Sequence, residues 1–172
     1  MVQKIPPQNL EAEQSVLGAM LLDKEAVINV AGWMKAEHFY DQRHAIIFQN
    51  IVELFEEGLP IDIVTLTNKL KTKKELSKIG GRTYLTDLVN MVPTSAHVEE
   101  YGEIVKDNSV RRGLITSASE ITELSFDESI PLKEVVDKSE KLIFNVAQTG
   151  VKTNFVHIKD LLKDAYERAE RA

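Results

Sequence analysis

The chain has 172 residues, 43% hydrophobic and 28% charged, with a net charge of −6 and a pI of about 5.3. A chain of this size and composition can bury a core, so disorder is not expected, and the acidic balance argues against a chain that grips nucleic-acid phosphates on its own. It has no cysteine, which removes disulfides, thiol catalysis and cysteine-ligated zinc and suits a reducing, cytoplasmic setting.

Residues 1–7 carry no apolar stretch behind their charge, so they do not read as a signal peptide. No window approaches the roughly 18 apolar residues of a membrane span. Helical periodicity then dominates. Asn9 can cap a first helix with Glu11 and Glu13 in its first turn, where the helix dipole favours acids, and Leu10, Val16, Leu17, Met20 and Leu21 mark one face. Asp23 can cap a second helix to about residue 34. A third spans about 41–57, with Ile47, Phe48, Ile51, Leu54 and Phe55 at helical spacing and Gly58 and Pro60 behind it. Asp62 can cap a fourth to residue 70. A short helix is expected over 73–79, ending at Gly80-Gly81, and another over 83–91, closed by Pro93.

From residue 95 a helix can run to about 124, tolerating Gly102 and Gly113, with Val110, Leu114, Ala118, Ile121 and Leu124 on one stripe. Residues 125–129 read as a turn. Pro131 suits the first turn of the next helix, which continues to 148 with Leu132, Val136, Ser139, Leu142 or Ile143, and Val146 at helical spacing. Two long amphipathic helices joined by a short turn make an antiparallel hairpin. After a small polar linker, residues 157–171 form a last amphipathic pattern with nothing behind it to fold against, a candidate for docking on another chain. The expected fold class is all-α: a compact head of short helices over 1–108, a long antiparallel hairpin over 109–149 in the same domain, and a linker with a tethered helix over 150–172.

The chemistry-bearing patterns are absent. No Gly-x-x-x-x-Gly-Lys-[Ser/Thr] occurs, and Gly80-Gly81 is followed by Arg82-Thr83, which reads as a helix end. His38, His44, His97 and His157 lack the spacing of a zinc set, and His44 reads as a packed or hydrogen-bonded side chain. Neighbouring carboxylates such as Glu56-Glu57 point about 100° apart on a helix and read as solvated faces. No catalytic, metal or cofactor residue is assigned. Lys69, Lys71, Lys73, Lys74, Lys78 and Arg82 form the most basic stretch, a solvated surface or a contact for an acidic protein or a phosphate, with no interleaved aromatic for base stacking.

Several patterns, in order over almost the whole chain, resemble the N-terminal domain and linker helix of bacterial DnaB-type replicative helicases. They are Pro6-Pro7-Gln8-Asn9-Leu10-Glu11-Ala12-Glu13-Gln14-Ser15-Val16-Leu17-Gly18; Phe39-Tyr40 with His44 and Ile47-Phe48; Pro60-Ile61-Asp62-Ile63-Val64-Thr65-Leu66; Gly80-Gly81 with Tyr84-Leu85; Pro93-Thr94-Ser95-Ala96 with Val98 and Tyr101; Ile104-Val105 and Val110-Arg111-Arg112; and Phe155, Ile158-Lys159-Asp160, Leu162 and Tyr166.

The resemblance implies a collar domain of a hexameric ring, built as a trimer of dimers, that primase and loaders can meet. It implies a linker helix that packs on a neighbouring subunit's motor. The RecA-like motor, with its ATP and Mg and its grip on single-stranded DNA, belongs to the parent helicase; the sequence stops at Ala172 before any such motor and is expected to be a piece of that longer protein. The expected dimer contact is Leu114, Ile121, Leu132, Val136, Leu142 and Val146, the alternative being that these pack only within the hairpin. The expected linker-helix contact is Phe155, Ile158, Leu161, Leu162 and Tyr166, the alternative being one more core helix. Lys73, Lys74, Lys78 and Arg82 are the candidate primase surface. Two other readings stay open: a single-stranded DNA-binding module, which would need a basic aromatic groove, and a small all-α enzyme, which would need perturbed carboxylates in a pocket.

Overall fold

The computed structural model describes residues 4–150. Within them lie seven α-helices and no strand: α1 Leu10–Leu22, α2 Lys24–Ala31, α3 Gln42–Glu56, α4 Ile63–Thr72, α5 Gly81–Met91, α6 Val98–Phe126 and α7 Leu132–Gly150. Short 3-10 turns over Ala36–His38 and Ser77–Ile79 lie between them. The expectation of an all-α chain holds.

Local chemistry starts the helices where the sequence indicates. The side chain of Asn9 accepts from Ala12 N at 2.9 Å, Asp23 from Glu25 N at 2.9 Å, Asp41 from Arg43 N at 2.9 Å and Asp62 from Thr65 N at 2.7 Å. Each satisfies a donor that the first turn would otherwise leave orphaned.

The helix ends reveal one difference from the sequence reading. After α3, Gly58 takes φ +69°, Leu59 N reaches back to Leu54 O at 3.0 Å and Gly58 N to Phe55 O at 3.1 Å, closing a Schellman turn. The same closure follows α4, where Glu75 N donates to Leu70 O at 2.8 Å and Lys74 N to Lys71 O at 3.1 Å. There the left-handed position is Lys74, at φ 58°. The helix expected over 73–79 is therefore absent: the chain reverses at Lys74 and only Ser77–Ile79 forms a 3-10 turn.

α1 is the axle of the head. Residues from Ala12 to Leu21 are buried nearly all round, apart from the partly covered Gln14 and Ser15, because α2, α3, α5 and the first half of α6 pack against it. Such a helix is apolar on every side rather than on one stripe. Leu10, expected on the buried face, is instead 41% exposed. Phe48, Leu17, Met20, Ile47, Ile51, Leu54, Leu66, Leu70, Leu85 and Leu88 complete the sealed core. α5 lies close enough to α1 that a Cβ on Gly18 would strike the backbone carbonyl oxygen of Leu88 and approach Val92 Cγ2 to 2.5 Å.

α6 belongs to both halves of the molecule. Val98, Gly102 and Val105 are buried against the head, with Trp33 and Met34 over Gly102. From Val110 the helix packs against α7, while Arg112 still bonds to the head. Val146 sits over Gly113, Val110 over Gly150, and Ser117 is buried between the helices. The boundary read at 108/109 thus falls inside one continuous helix.

Candidate functional site: the helical hairpin and its mount

The hairpin turn is built by Asp127. Its carboxylate accepts from Ser129 N at 3.0 Å and Ser129 Oγ at 2.5 Å, and these bonds hold its pKa below the ordinary carboxylate value. Pro131 follows and opens α7, its carbonyl accepting from Glu134 N at 2.9 Å.

Two helices cannot bury all of each other's apolar stripe. Val135 is buried, and Ile121, Leu124, Leu142 and Val146 are half-buried between the helices. Leu114, Leu132 and Val136 are 44%, 77% and 46% exposed. Of the six positions singled out from the sequence, three therefore face outward and three line the seam. The structure adds Ile115, Phe126, Ile143 and Phe144 to the exposed apolar set. Ile143 lies seven residues after Val136, two helical turns on, a spacing that could have singled it out. At about 100° per residue, Leu114 on α6 and Leu132, Val136 and Ile143 on α7 stand on the same rotational flank of the seam. Because the helices run antiparallel, those flanks fall on one side of the hairpin.

The hairpin is fastened to the head by Arg112. Its guanidinium donates to Pro7 O at 2.7 Å and His38 O at 2.8 Å and lies 5.5 Å from the centre of the Tyr40 ring. Burial draws its pKa down, and the negative charge of Glu13 opposes that shift. Next to it, burial holds His38 below its ordinary pKa, and Lys35 N donates to His38 Nδ1 at 3.1 Å.

Behind this mount lies a buried polar chain. Glu13 accepts from Tyr40 N at 2.5 Å, Asp41 N at 3.3 Å and His44 Nδ1 at 2.6 Å. His44 Nε2 meets Tyr84 Oη at 2.5 Å, and Gln14 Nε2 donates to that hydroxyl at 3.4 Å. The chain links α1, α3 and α5. Glu13 stands in the first turn of α1, as expected, and is in addition a buried acceptor; His44 is hydrogen-bonded and packed as expected. The chain of bonds thus holds three helices of the head together.

The basic stretch is divided. Lys69 pairs with Glu57 at 2.9 Å and Glu53 at 3.2 Å, and Lys73 with Glu53 at 3.1 Å and Glu75 at 3.8 Å. Lys74, Lys78 and Arg82 are exposed and make no ion pair among the described residues. Among those residues no group of three or more His, Asp or Glu could hold a metal, and no helix is long and apolar enough to cross a membrane. The positions Phe155, Ile158, Leu161, Leu162 and Tyr166 lie outside the described residues.

The described residues thus form an all-α head carrying a helical hairpin with exposed apolar residues along one side. The family model for the DnaB-like helicase N terminal domain matches residues 5–107, and the chain belongs to that family. It is 36% identical over 168 residues to the replicative DNA helicase DnaC of Bacillus subtilis (strain 168) and 37% identical over 168 residues to the replicative DNA helicase DnaB of Geobacillus stearothermophilus. Each alignment takes in 98% of this chain and 37% of the relative, so the chain spans little more than a third of these helicases. The crystal structure of the N-terminal domain of DnaB helicase from Mycobacterium tuberculosis superposes with a TM-score of 0.79 at 35% identity, covering 82% of this chain and 99% of that one. A DnaB-like replicative helicase, solved in a study of its interactions with primase, shares the fold with a TM-score of 0.73 at 23% identity, over 95% of this chain and 37% of that one.

Proposed function

We propose that this chain is the collar part of a cytoplasmic hexameric replicative DNA helicase: it self-associates through the hairpin and offers the assembled collar to the C-terminal domain of primase and to a helicase loader. In this reading residues 1–108 are the head, 109–149 the hairpin and 150–172 the linker and linker helix. ATP, Mg and the grip on single-stranded DNA belong to a motor that the 37%-length match to the two helicases leaves outside this chain.

The observation that carries the reading is the bare apolar side of the hairpin, where Leu114, Leu132 and Val136 stand exposed on a helix pair fastened to the head by Arg112. Exposed apolar side chains gathered on one side of a helix pair suit a protein interface. Ile121, Leu142 and Val146 support it from the seam, so they act on the dimer contact through packing. Lys74, Lys78 and Arg82, which make no ion pair among the described residues, are better candidates for a primase contact than Lys73, which pairs with Glu53 and Glu75. The apolar face of Phe155, Ile158, Leu161, Leu162 and Tyr166 docks on a neighbouring motor.

The test is absolute mass by light scattering across a dilution series, with and without the primase C-terminal domain, for the chain and for Val136→Asp. The chain is expected as a dimer or higher oligomer that gains mass with primase, and the variant as a folded monomer. A chain that is monomeric throughout and ignores primase overturns the reading.

A further inference from the structure

The side of the hairpin opposite Leu114, Val136 and Ile143 carries a groove of about 610 Å³ between the outer halves of α6 and α7. Its floor is apolar, formed by Leu124, Ile130 and Leu142. Its walls differ in sign: Glu120 and Glu123 come from α6 and Asp127 from the turn that follows it, and Lys138 and Lys141 come from α7. Lys138 is held by Glu134 at 2.7 Å. Glu120, Glu123 and Lys141 make no ion pair among the described residues. A trough of this form fits an amphipathic helix that carries cations along one flank and anions along the other.

The chain itself contains, within reach, an amphipathic segment whose first half has this charge division. Twenty-two residues, 151–172, follow the end of α7 at Gly150. Leu142 lies eight residues back along α7, about 12 Å, and Lys138 about 18 Å. The six residues 151–156 can span about 20 Å when extended, enough to turn back. In 157–171, Ile158, Leu161, Leu162, Ala165 and Ala169 repeat at helical spacing; over the first two turns Lys159 and Lys163 share one flank and Asp160 and Asp164 the other, and further on Glu170 falls on the lysine flank and Arg168 and Arg171 on the aspartate flank. A helix returning along the groove runs antiparallel to α7 and parallel to α6. With its apolar stripe on the floor, that direction and the right-handed sense of the helix put the lysine flank toward α6 and the aspartate flank toward α7. With Val146 facing Gly113 across the hairpin, Lys163 then comes level with Glu120, Asp160 with Lys141, and Arg168 with Glu134.

We propose that the groove is a docking site for residues 157–171 of the same chain, laid as a helix against α6 and α7. The proposal stands apart from the collar reading. Its consequence for that reading is exclusion: one apolar face cannot fill the groove and a neighbouring motor at once, so docking in the groove withdraws the linker helix from other partners.

The test is zero-length carbodiimide crosslinking of the full chain, which joins ammonium and carboxylate groups only where they touch, in an equal mixture of 15N-labelled and unlabelled protein. Mass spectrometry is expected to find Lys163 joined to Glu120 or Glu123 and Lys141 joined to Asp160 or Asp164, each within a single isotope. Leu142→Asp, which places a charge on the floor, is expected to lower those yields about tenfold. The exposed double variant Glu120→Lys/Glu123→Lys, which leaves the floor intact, is expected to lower the Lys141 links as well. Absence of the links, links of mixed isotope, which would put a second copy's segment in the groove, or yields indifferent to both variants would overturn the proposal. None of these outcomes is read from oligomer mass, so the two readings fail separately.

Discussion

Glu13 and His44 meet at 2.6 Å in the middle of the head, with 1% and 0% of their surfaces exposed. The contact ties α1 to α3 and, through Tyr84, to α5, so three helices share one hydrogen-bonded chain.

Glu13→Gln keeps the shape of the side chain but leaves one acceptor oxygen where two served Tyr40 N, Asp41 N and His44 Nδ1. An unmatched donor in a sealed site is costly, and the variant is expected to lose about 3 kcal/mol. Urea unfolding followed by circular dichroism measures it; a loss below about 1 kcal/mol would mean that the chain of bonds is not what orders the head.

Arg112→Met removes both donors to Pro7 O and His38 O while retaining most of the side-chain bulk. Two carbonyls lose charge-assisted partners, at an expected cost of about 2–3 kcal/mol. Proteolysis should then cut first near residues 4–8, where the N-terminal strap is released, and unchanged cleavage kinetics would refute the role of Arg112 as the mount.

Lys74 holds a left-handed conformation that a Cβ disfavours. Lys74→Gly is expected to raise stability by about 0.5–1 kcal/mol, because relief of that strain outweighs the added freedom of the unfolded chain. A drop in the thermal midpoint would show that the lysine side chain contributes more than its conformation costs.

His38 supplies a pH dependence of known sign. Burial places its folded pKa below the ordinary value of 6.5, with Glu37 opposing the shift and Lys106, Lys35 and Arg112 adding to it. The unfolded chain therefore takes up the proton first as pH falls. Stability is full above about pH 6.5 and declines below it until the folded pKa is reached. Comparing urea midpoints at about pH 7.5 and about pH 5.5, His38→Gln should show a smaller difference than the parent chain. Equal differences would assign the acid sensitivity to other groups.

What the sequence made legible was local. Asn9, Asp23 and Asp62 are capping residues at the starts of periodic runs, and the 125–129 turn with Pro131 divides the two long helices. These depend on neighbours within four residues. Lys74 was hidden because left-handed helix ends are signalled by glycine, and the chain there has a lysine. Glu13, His44 and Tyr84 were hidden as a unit because 31 and 40 residues separate the bonded partners, and no periodicity encodes such pairs. Arg112 reaches a carbonyl 105 positions away. On the hairpin, spacing found the apolar stripe but not its division: Leu114, Leu132 and Val136 remain bare while Ile121, Leu142 and Val146 turn inward, a matter of where the two helices cross rather than of either helix alone.

α6 is 29 residues long without a break, about 43 Å at the helical rise. Its first half is embedded in the head and its far end is the hairpin tip, with Arg112 between them as the pivot. About 21 Å of helix separates that pivot from Phe126. A tilt of about 5° at the pivot moves the tip by about 2 Å, more than a packed interface absorbs without repacking. The length of the helix therefore sets a lever ratio: the position of the hairpin tip depends on the angle fixed by the Arg112 contacts to Pro7, His38 and Tyr40.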